Sequence, residues 1–169
     1  DNLTTFVEDL RRAQPTVFLA VPRIWTKFQM GVFKKMPKQK MDRLLKVPIL
    51  SSFLKKKVLK NLGLENVKFA GSGSAPLSQD IMAWYQKLGL ELLEGYGMSE
   101  NFAYSHMSRP KRSKLGYVGE PLPGVEVRIS EQGEIQVKSP ATMLGYYKDE
   151  EKTHATFSDD GYLLTGDKG

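Results

Sequence analysis

Cysteine is absent from the 169 residues, and histidine is limited to His106 and His154. Without thiols there is no disulfide framework, no Cys-based zinc site and no cysteine nucleophile. Two separated histidines leave a Ser-His-Asp triad or a histidine-rich metal centre little material. No apolar run approaches the ~20 residues needed to span a bilayer. The start, Asp1-Asn2-Leu3, has neither a basic leader nor an initiator Met. The expectation is a soluble, cytoplasmic chain cut from something longer.

What is present is ordinary globular composition, 40% hydrophobic and 26% charged, with 15 Gly and 9 Pro, which excludes collagen-like, disordered and coiled-coil classes. The net charge of +6 is unevenly spread: residues 1–62 carry 14 Lys/Arg against 4 Asp/Glu, and residues 63–169 carry 11 against 15.

The apolar run Thr16–Val21, closed by Pro22, predicts a buried strand. From Arg23 to about Lys60 apolar residues recur at helical spacing, and Pro37 and Pro48 should divide the segment into several lysine-rich helices. A second strand, Val67–Ala70, leads into the small-residue turn Gly71–Pro76. Ser78 is placed as the N-cap of a helix, with Leu77 and Met82 as a hydrophobic staple, Ile81, Tyr85 and Leu88 on one face, and Gly89 as its stop. A third strand, Glu91–Glu94, enters a second glycine turn at Gly95. Strand, helix and strand at this spacing predict a parallel βαβ unit. Asn101–Gly116 is polar and basic and reads as a long loop. Val125, Val127 and Ile129, then Ile135 and Val137, alternate around Glu131-Gln132-Gly133 and predict an antiparallel hairpin. The fold class expected is α/β, with a parallel βαβ part over 1–100 that includes a basic helical segment at 23–62, followed by a smaller loop and antiparallel β part over 101–169.

Three places can carry chemistry. The turn at 71–76 exposes backbone N–H groups, yet Pro76 stands where a dinucleotide fingerprint needs its last Gly, no Gly-x-x-x-x-Gly-Lys-Ser/Thr occurs, and the window is not Gly-x-Ser-x-Gly. Gly95-Tyr96-Gly97-Met98-Ser99-Glu100 sets an aromatic face, a hydroxyl and a carboxylate beyond a parallel strand, where α/β sheets bind ligands. Tyr96 offers a flat face for a base, Ser99 a hydroxyl for a phosphate oxygen, and Glu100 a hard oxygen for Mg²⁺. A tight turn with a core tyrosine and an exposed Glu is the competing reading. Asp167, in Thr165-Gly166-Asp167 after Tyr162-Leu163-Leu164, can accept two hydrogen bonds from a ribose diol. Trp25 and Trp84 read as core residues, and His154 as an exposed residue of a polar helical stretch at 149–154. His106 lies in the polar loop. The basic loop 109–114 reads as solvated surface, because no aromatic platform accompanies it to suggest nucleic acid.

These residues, in this order, resemble the adenylate-forming acyl-CoA synthetases, and most of all the long-chain fatty acid CoA ligases. The resemblance rests on Val21-Pro22-Arg23-Ile24-Trp25, Gly71 to Leu77, Glu94 to Glu100, Gly133-Glu134-Ile135 followed by Met143-Leu144-Gly145-Tyr146-Tyr147, and Thr165-Gly166-Asp167. It implies that a carboxylate attacks ATP to give an acyl-adenylate and pyrophosphate, and that the CoA thiol then displaces AMP. By the same resemblance Ser72, Gly73, Ser74 and Ala75 form a wall against adenine, and Tyr96 lies on its other face. Gly97 and Met98 belong to the same nucleotide turn, Ser99 contacts the α-phosphate, Glu100 holds Mg²⁺, and Asp167 holds the ribose hydroxyls. The strand ends before Gly71 and Gly95 border the acyl pocket.

Ser99 stands where that family more often has Thr. The family's Ser/Thr/Gly-rich phosphate loop ending in Pro-Lys-Gly, and its C-terminal domain with the adenylation lysine, have no counterpart in 1–169. Residues 1–169 are therefore expected to be a partial AMP-binding domain, inactive alone. Transfer to another acceptor, such as a carrier-protein thiol, is compatible with the same nucleotide motifs, and a non-enzymatic basic module for membrane or nucleic acid is the third class. Residues 34–60, where Leu44, Leu45, Ile49, Leu50, Phe53 and Leu54 alternate with Lys and Arg, suit either peripheral contact with an anionic membrane or a solvated helical face.

Overall fold

The computed structural model describes residues 5–169; the chain start Asp1-Asn2-Leu3 lies outside them. The first helix, α1 (Phe6–Ala13), has no counterpart in the sequence reading. Strand β1 (Val17–Ala20) follows, then helices α2 (Pro22–Lys35), α3 (Lys38–Leu45) and α4 (Pro48–Leu62). The prolines act as expected: Pro22 and Pro48 occupy first-turn positions of α2 and α4, where a missing N–H costs nothing, and Pro37 precedes α3. Strand β2 (Phe69–Ser72), helix α5 (Gln79–Leu88) and strand β3 (Leu92–Tyr96) complete the βαβ unit. Gly89 ends α5 at φ 91°. Ser78 does sit at the N-cap, but its side chain makes no capping bond, and its carbonyl instead accepts Ile81 N and Met82 N.

β1, β2 and β3 are parallel neighbours, and the sheet continues antiparallel through β4 (His106–Met107) and β5 (Glu120–Pro121). The stretch 101–116 is therefore not wholly a loop, because His106 and Met107 pair with Tyr96 and Gly95. A second, antiparallel sheet contains β6 (Glu126–Ile129), β7 (Glu134–Lys138) and β8 (Leu163–Lys168), with the expected hairpin at β6–β7. The short helix α6 (Glu150–Ala155) lies between β7 and β8, capped by the Asp149 carboxylate on Lys152 N, and His154 on it is exposed.

The core fills the space between α1–α5 and one face of the parallel strands. Trp25 and Tyr85 are fully buried there, and Trp84 is 5% exposed. Trp25 Nε1 donates to the carbonyls of Ala20 and Gly71, and the Tyr85 hydroxyl donates to Trp25 O at 2.8 Å, so these two aromatics satisfy their polar atoms, whereas the buried Trp84 Nε1 finds no acceptor among the described residues. Burial of β1 on both faces, expected from its apolar run, is not found. Phe18 points into the core, whereas Val17 and Leu19 are 59% and 62% exposed, since the helices cover only one side of this edge strand.

Candidate functional site

Parallel register places the ends of three strands side by side: Ala20 is opposite Ser72, and Ser72 opposite Glu94. Gly95 and Tyr96, read from sequence as a turn, are the last two residues of β3 and project beyond those ends. The result is a cavity of about 350 Å³ on the uncovered face of the sheet. Ser72, Gly73 and Ser74 form one wall, Tyr96 and Gly97 another, and Leu19, Phe69, Leu93 and Met107 give it an apolar floor. Ser72 Oγ is buried and has no hydrogen-bond partner among the described residues; the register aligns Ser72 with Ala20 and Glu94, the face opposite the Leu19 and Leu93 floor. Ala75 is exposed just past the wall.

The turn after β3 is held by backbone and side-chain bonds together. Asn101 Oδ1 accepts Met98 N at 3.0 Å, and Met98 O accepts Asn101 N and Ala103 N. Gly97 is required here, because a Cβ on it would lie 2.6 Å from the Ala103 carbonyl carbon. Ser99 is exposed at the start of the single 3-10 turn Ser99–Asn101. Glu100 is partly exposed; its carbonyl accepts Met143 N at 2.7 Å and its Oε1 accepts the Tyr146 hydroxyl at 2.6 Å. That hydroxyl bond is the main cause holding the Glu100 carboxyl below its ordinary value, so it is ionised at neutral pH.

Asp167 reaches the same region from the other sheet. Its Oδ2 accepts the Tyr96 hydroxyl at 2.8 Å, and its N–H donates to Thr165 Oγ1. A carboxylate has two oxygens and about four acceptor sites, so the tyrosine does not exhaust it. Burial, and then Asp167 itself, push Tyr96 up to about 12 against a partial opposing effect of Thr165, so the phenol stays protonated and donating. His106 packs its ring 5.7 Å from that of Tyr96, and burial holds it below its ordinary value, which favours neutral imidazole.

Ser72, Gly73, Ser74, Tyr96 and Gly97 thus share one cavity, Asp167 joins it through Tyr96, and Glu100 stands on the adjoining turn. Sequence reasoning gave no role to Tyr146, although its motif was noted. It also missed Glu94, whose buried carboxylate accepts Leu77 N at 3.1 Å and so anchors the far end of the 72–77 turn. A Glu closing the apolar segment Leu92-Leu93-Glu94 directly before a glycine turn is the signal that was available. Among the described residues no three His, Asp or Glu side chains converge to hold a metal unaided. Mg²⁺ keeps several waters and uses one or two carboxylates with substrate phosphates, and a lone Glu100 fits that requirement.

A mixed sheet with such a cavity at its parallel strand ends is the arrangement of an adenylate-forming enzyme domain. The chain belongs to the AMP-binding enzyme family, whose model matches residues 1–147; Asp167 lies beyond the matched stretch. It is 31% identical to long chain acyl-CoA synthetase 7, peroxisomal, of Arabidopsis thaliana over 96% of this chain and 28% of the relative. Among solved structures it is 32% identical to apo MatB from Rhodopseudomonas palustris, with a TM-score of 0.68 over 95% of this chain and 29% of that one. It is 28% identical to the A domain of carboxylic acid reductase from Segniliparus rugosus, solved with AMP and a co-purified carboxylic acid, with a TM-score of 0.66 over 98% of this chain and 27% of that one. The chain thus spans about a third or less of the length of the curated relatives it matches.

Proposed function

We propose that this chain forms the nucleotide- and acyl-binding centre of an ATP-dependent long-chain fatty acid CoA ligase. The observation that carries the reading is the cavity at the ends of β1, β2 and β3, bounded by the 72–74 wall and by Tyr96 hydrogen-bonded to Asp167. Adenine lies between the wall, extended by Ala75, and the Tyr96 ring. Asp167 accepts from the ribose hydroxyls. Gly97 and Met98 shape the turn that brings the Ser99 hydroxyl to the α-phosphate. Glu100, kept ionised by Tyr146, holds Mg²⁺, which when bound offsets phosphate charge. The acyl chain lies on the apolar floor around Leu19, Phe69 and Leu93. A carboxylate oxygen of the fatty acid forms a bond to the α-phosphorus as the bond to pyrophosphate breaks. The CoA thiol, losing its proton, then attacks the acyl carbon and AMP leaves.

In this reading 1–100 supplies the sheet and the adenine wall, and 101–169 supplies Asp167 and the clamp on Glu100. A Pro-Lys-Gly phosphate loop and an adenylation lysine domain act from outside these residues, so the 169-residue chain alone forms no acyl-adenylate. Peripheral membrane contact through 34–60 is part of the proposal. No helix of the described residues is long and apolar enough to cross a membrane, but Ile49 and Phe53 are 85% and 68% exposed beside the exposed Lys46, Lys56 and Lys57.

The test is pyrophosphate release by a longer protein containing this chain, with ATP and Mg²⁺, comparing palmitate with short acids and CoA present with CoA omitted. Release driven by palmitate and acyl-CoA formed with CoA support the reading. Palmitoyl-AMP that only a carrier-protein thiol can discharge favours the other acceptor, and no acid-dependent release rejects it.

A further inference from the structure

A second cavity, of about 360 Å³, lies away from the first, among α1, α2 and α4. Its two kinds of lining are segregated. Phe28, Leu54 and Val58 are buried at its floor with Val32 and Met36 half-buried, while Arg11, Lys27, Lys35 and Lys57 are exposed at its rim. No acidic residue lines it, and none of the three ion pairs found among the described residues engages these four cations. An apolar floor of this size with basic residues at the rim is the form of a small-molecule site.

Gly31 adds an independent observation. It stands in the middle of the 14-residue α2, where glycine costs about 1 kcal/mol relative to alanine. Packing does not call for it: a Cβ built there meets nothing within 4 Å. The space it leaves open is the cavity that it lines.

We propose that this second cavity binds a single-chain anionic amphiphile, a free long-chain fatty acid carboxylate, with the chain along Phe28, Val32 and Val58 and the carboxylate at Lys35 and Lys57. No residue of the first cavity contributes, so the proposal stands or falls separately from the ligase reading. Arg11 Nε already donates to Asn61 O at 2.6 Å, and the three lysines at the mouth favour an anionic head over a neutral one.

The experiment photolabels the 169-residue chain with a diazirine-bearing palmitate analogue and maps the adducts. Label is expected in peptides 28–36 and 54–62, removed by competing palmitate and at least tenfold less by 1-hexadecanol. Gly31→Leu, which fills the space, should cut this label at least tenfold while circular dichroism is unchanged and the thermal midpoint does not fall. Should that variant not fold, Lys35→Glu with Lys57→Glu, both exposed, gives the decision. It should weaken palmitate competition about tenfold and leave hexadecanol competition alone. Label confined to peptides around 93–97 places the acid in the first cavity and overturns the proposal. Equal competition by hexadecanol, or label that appears only with phosphatidylserine vesicles present, overturns it as well, the latter in favour of a membrane surface.

Discussion

The Tyr96 hydroxyl donates to Asp167 Oδ2 at 2.8 Å across a separation of 71 residues, and this bond ties the end of the parallel strands to the antiparallel sheet. The two residues sit on opposite sides of the mixed and antiparallel sheets' junction, so the bond both orients the Tyr96 ring over the cavity and positions the carboxylate next to it. Neither residue can be described as a site component without the other.

That relationship has a pH signature. Burial and Asp167 raise Tyr96 to about 12, above the ~10 of an unfolded tyrosine. The neutral form is favoured in the native state, so the stabilisation is fully present below pH ~10 and is lost as pH rises through ~12. Tyr85, pushed up further by its deeper burial, begins to contribute from the same pH but over a range that extends higher. The urea stability difference between the parent chain and Tyr96→Phe should therefore be largest at pH 7–9 and shrink above pH 11. A difference constant over that range would show that the phenol proton is not held by this bond.

Gly97→Ala should destabilise the chain by about 1–3 kcal/mol, since its Cβ meets the Ala103 backbone at 2.6 Å and backbone cannot yield as a flexible side chain does. The displaced turn carries Ser99 and Glu100, so weaker AMP binding should accompany the loss. A urea midpoint equal to that of the parent would mean that the turn tolerates the shift.

Much of this was legible in the sequence where the local signal was strong. The prolines at 22, 37 and 48 and the glycine at 89 act within one turn of the chain, and the helix boundaries followed from them. The alternation in 125–137 fixed the hairpin for the same reason. What the sequence concealed depends on distant pairing. His106 and Met107 form a strand only because β3 offers them an edge, and two residues are too few to show a period. Helix α1 carries Phe6, Val7 and Leu10 at helical spacing, but within only eight residues, which is a short stretch on which to read a period. At the site, individual residues were recognisable by type, but the links between them were not: Tyr96 with Asp167, and Glu100 with Tyr146, span 71 and 46 positions.

Tyr146→Phe tests the second of those links. The Tyr146 hydroxyl is the first cause of the low Glu100 value, so its loss should move the Glu100 carboxylate titration upward toward the ordinary range. The contribution to stability has the carboxylate sign: present above the ordinary carboxylate range, and lost as pH falls through the lowered value. Carbon-13 NMR of the glutamate side chains reads the midpoint directly. An unmoved Glu100 midpoint would show that the lone hydroxyl does not set its ionisation.

The last prediction concerns nucleotide. In the proposed reading the cavity wall, Tyr96 and Asp167 contact adenine and ribose, but the 169 residues hold no Pro-Lys-Gly phosphate loop, so little here neutralises a triphosphate. AMP should bind the chain with a Kd no tighter than about 1 mM, equivalent to about 4 kcal/mol. ATP should gain nothing over AMP. In a longer protein that binds nucleotide tightly, Asp167→Ala should weaken AMP and ATP by about 1–3 kcal/mol, the usual loss for charge-assisted hydrogen bonds, and leave fatty acid affinity unchanged. Ligand-observed NMR on the chain and calorimetry on the longer protein measure the two quantities. Equal losses of nucleotide and fatty acid would mark Asp167 as a folding residue, because its bond to Tyr96 would then be holding the sheets together rather than a ribose in place. Acyl-AMP formed from palmitate, ATP and Mg²⁺ by the 169-residue chain alone would overturn the view that the phosphate-handling groups lie elsewhere.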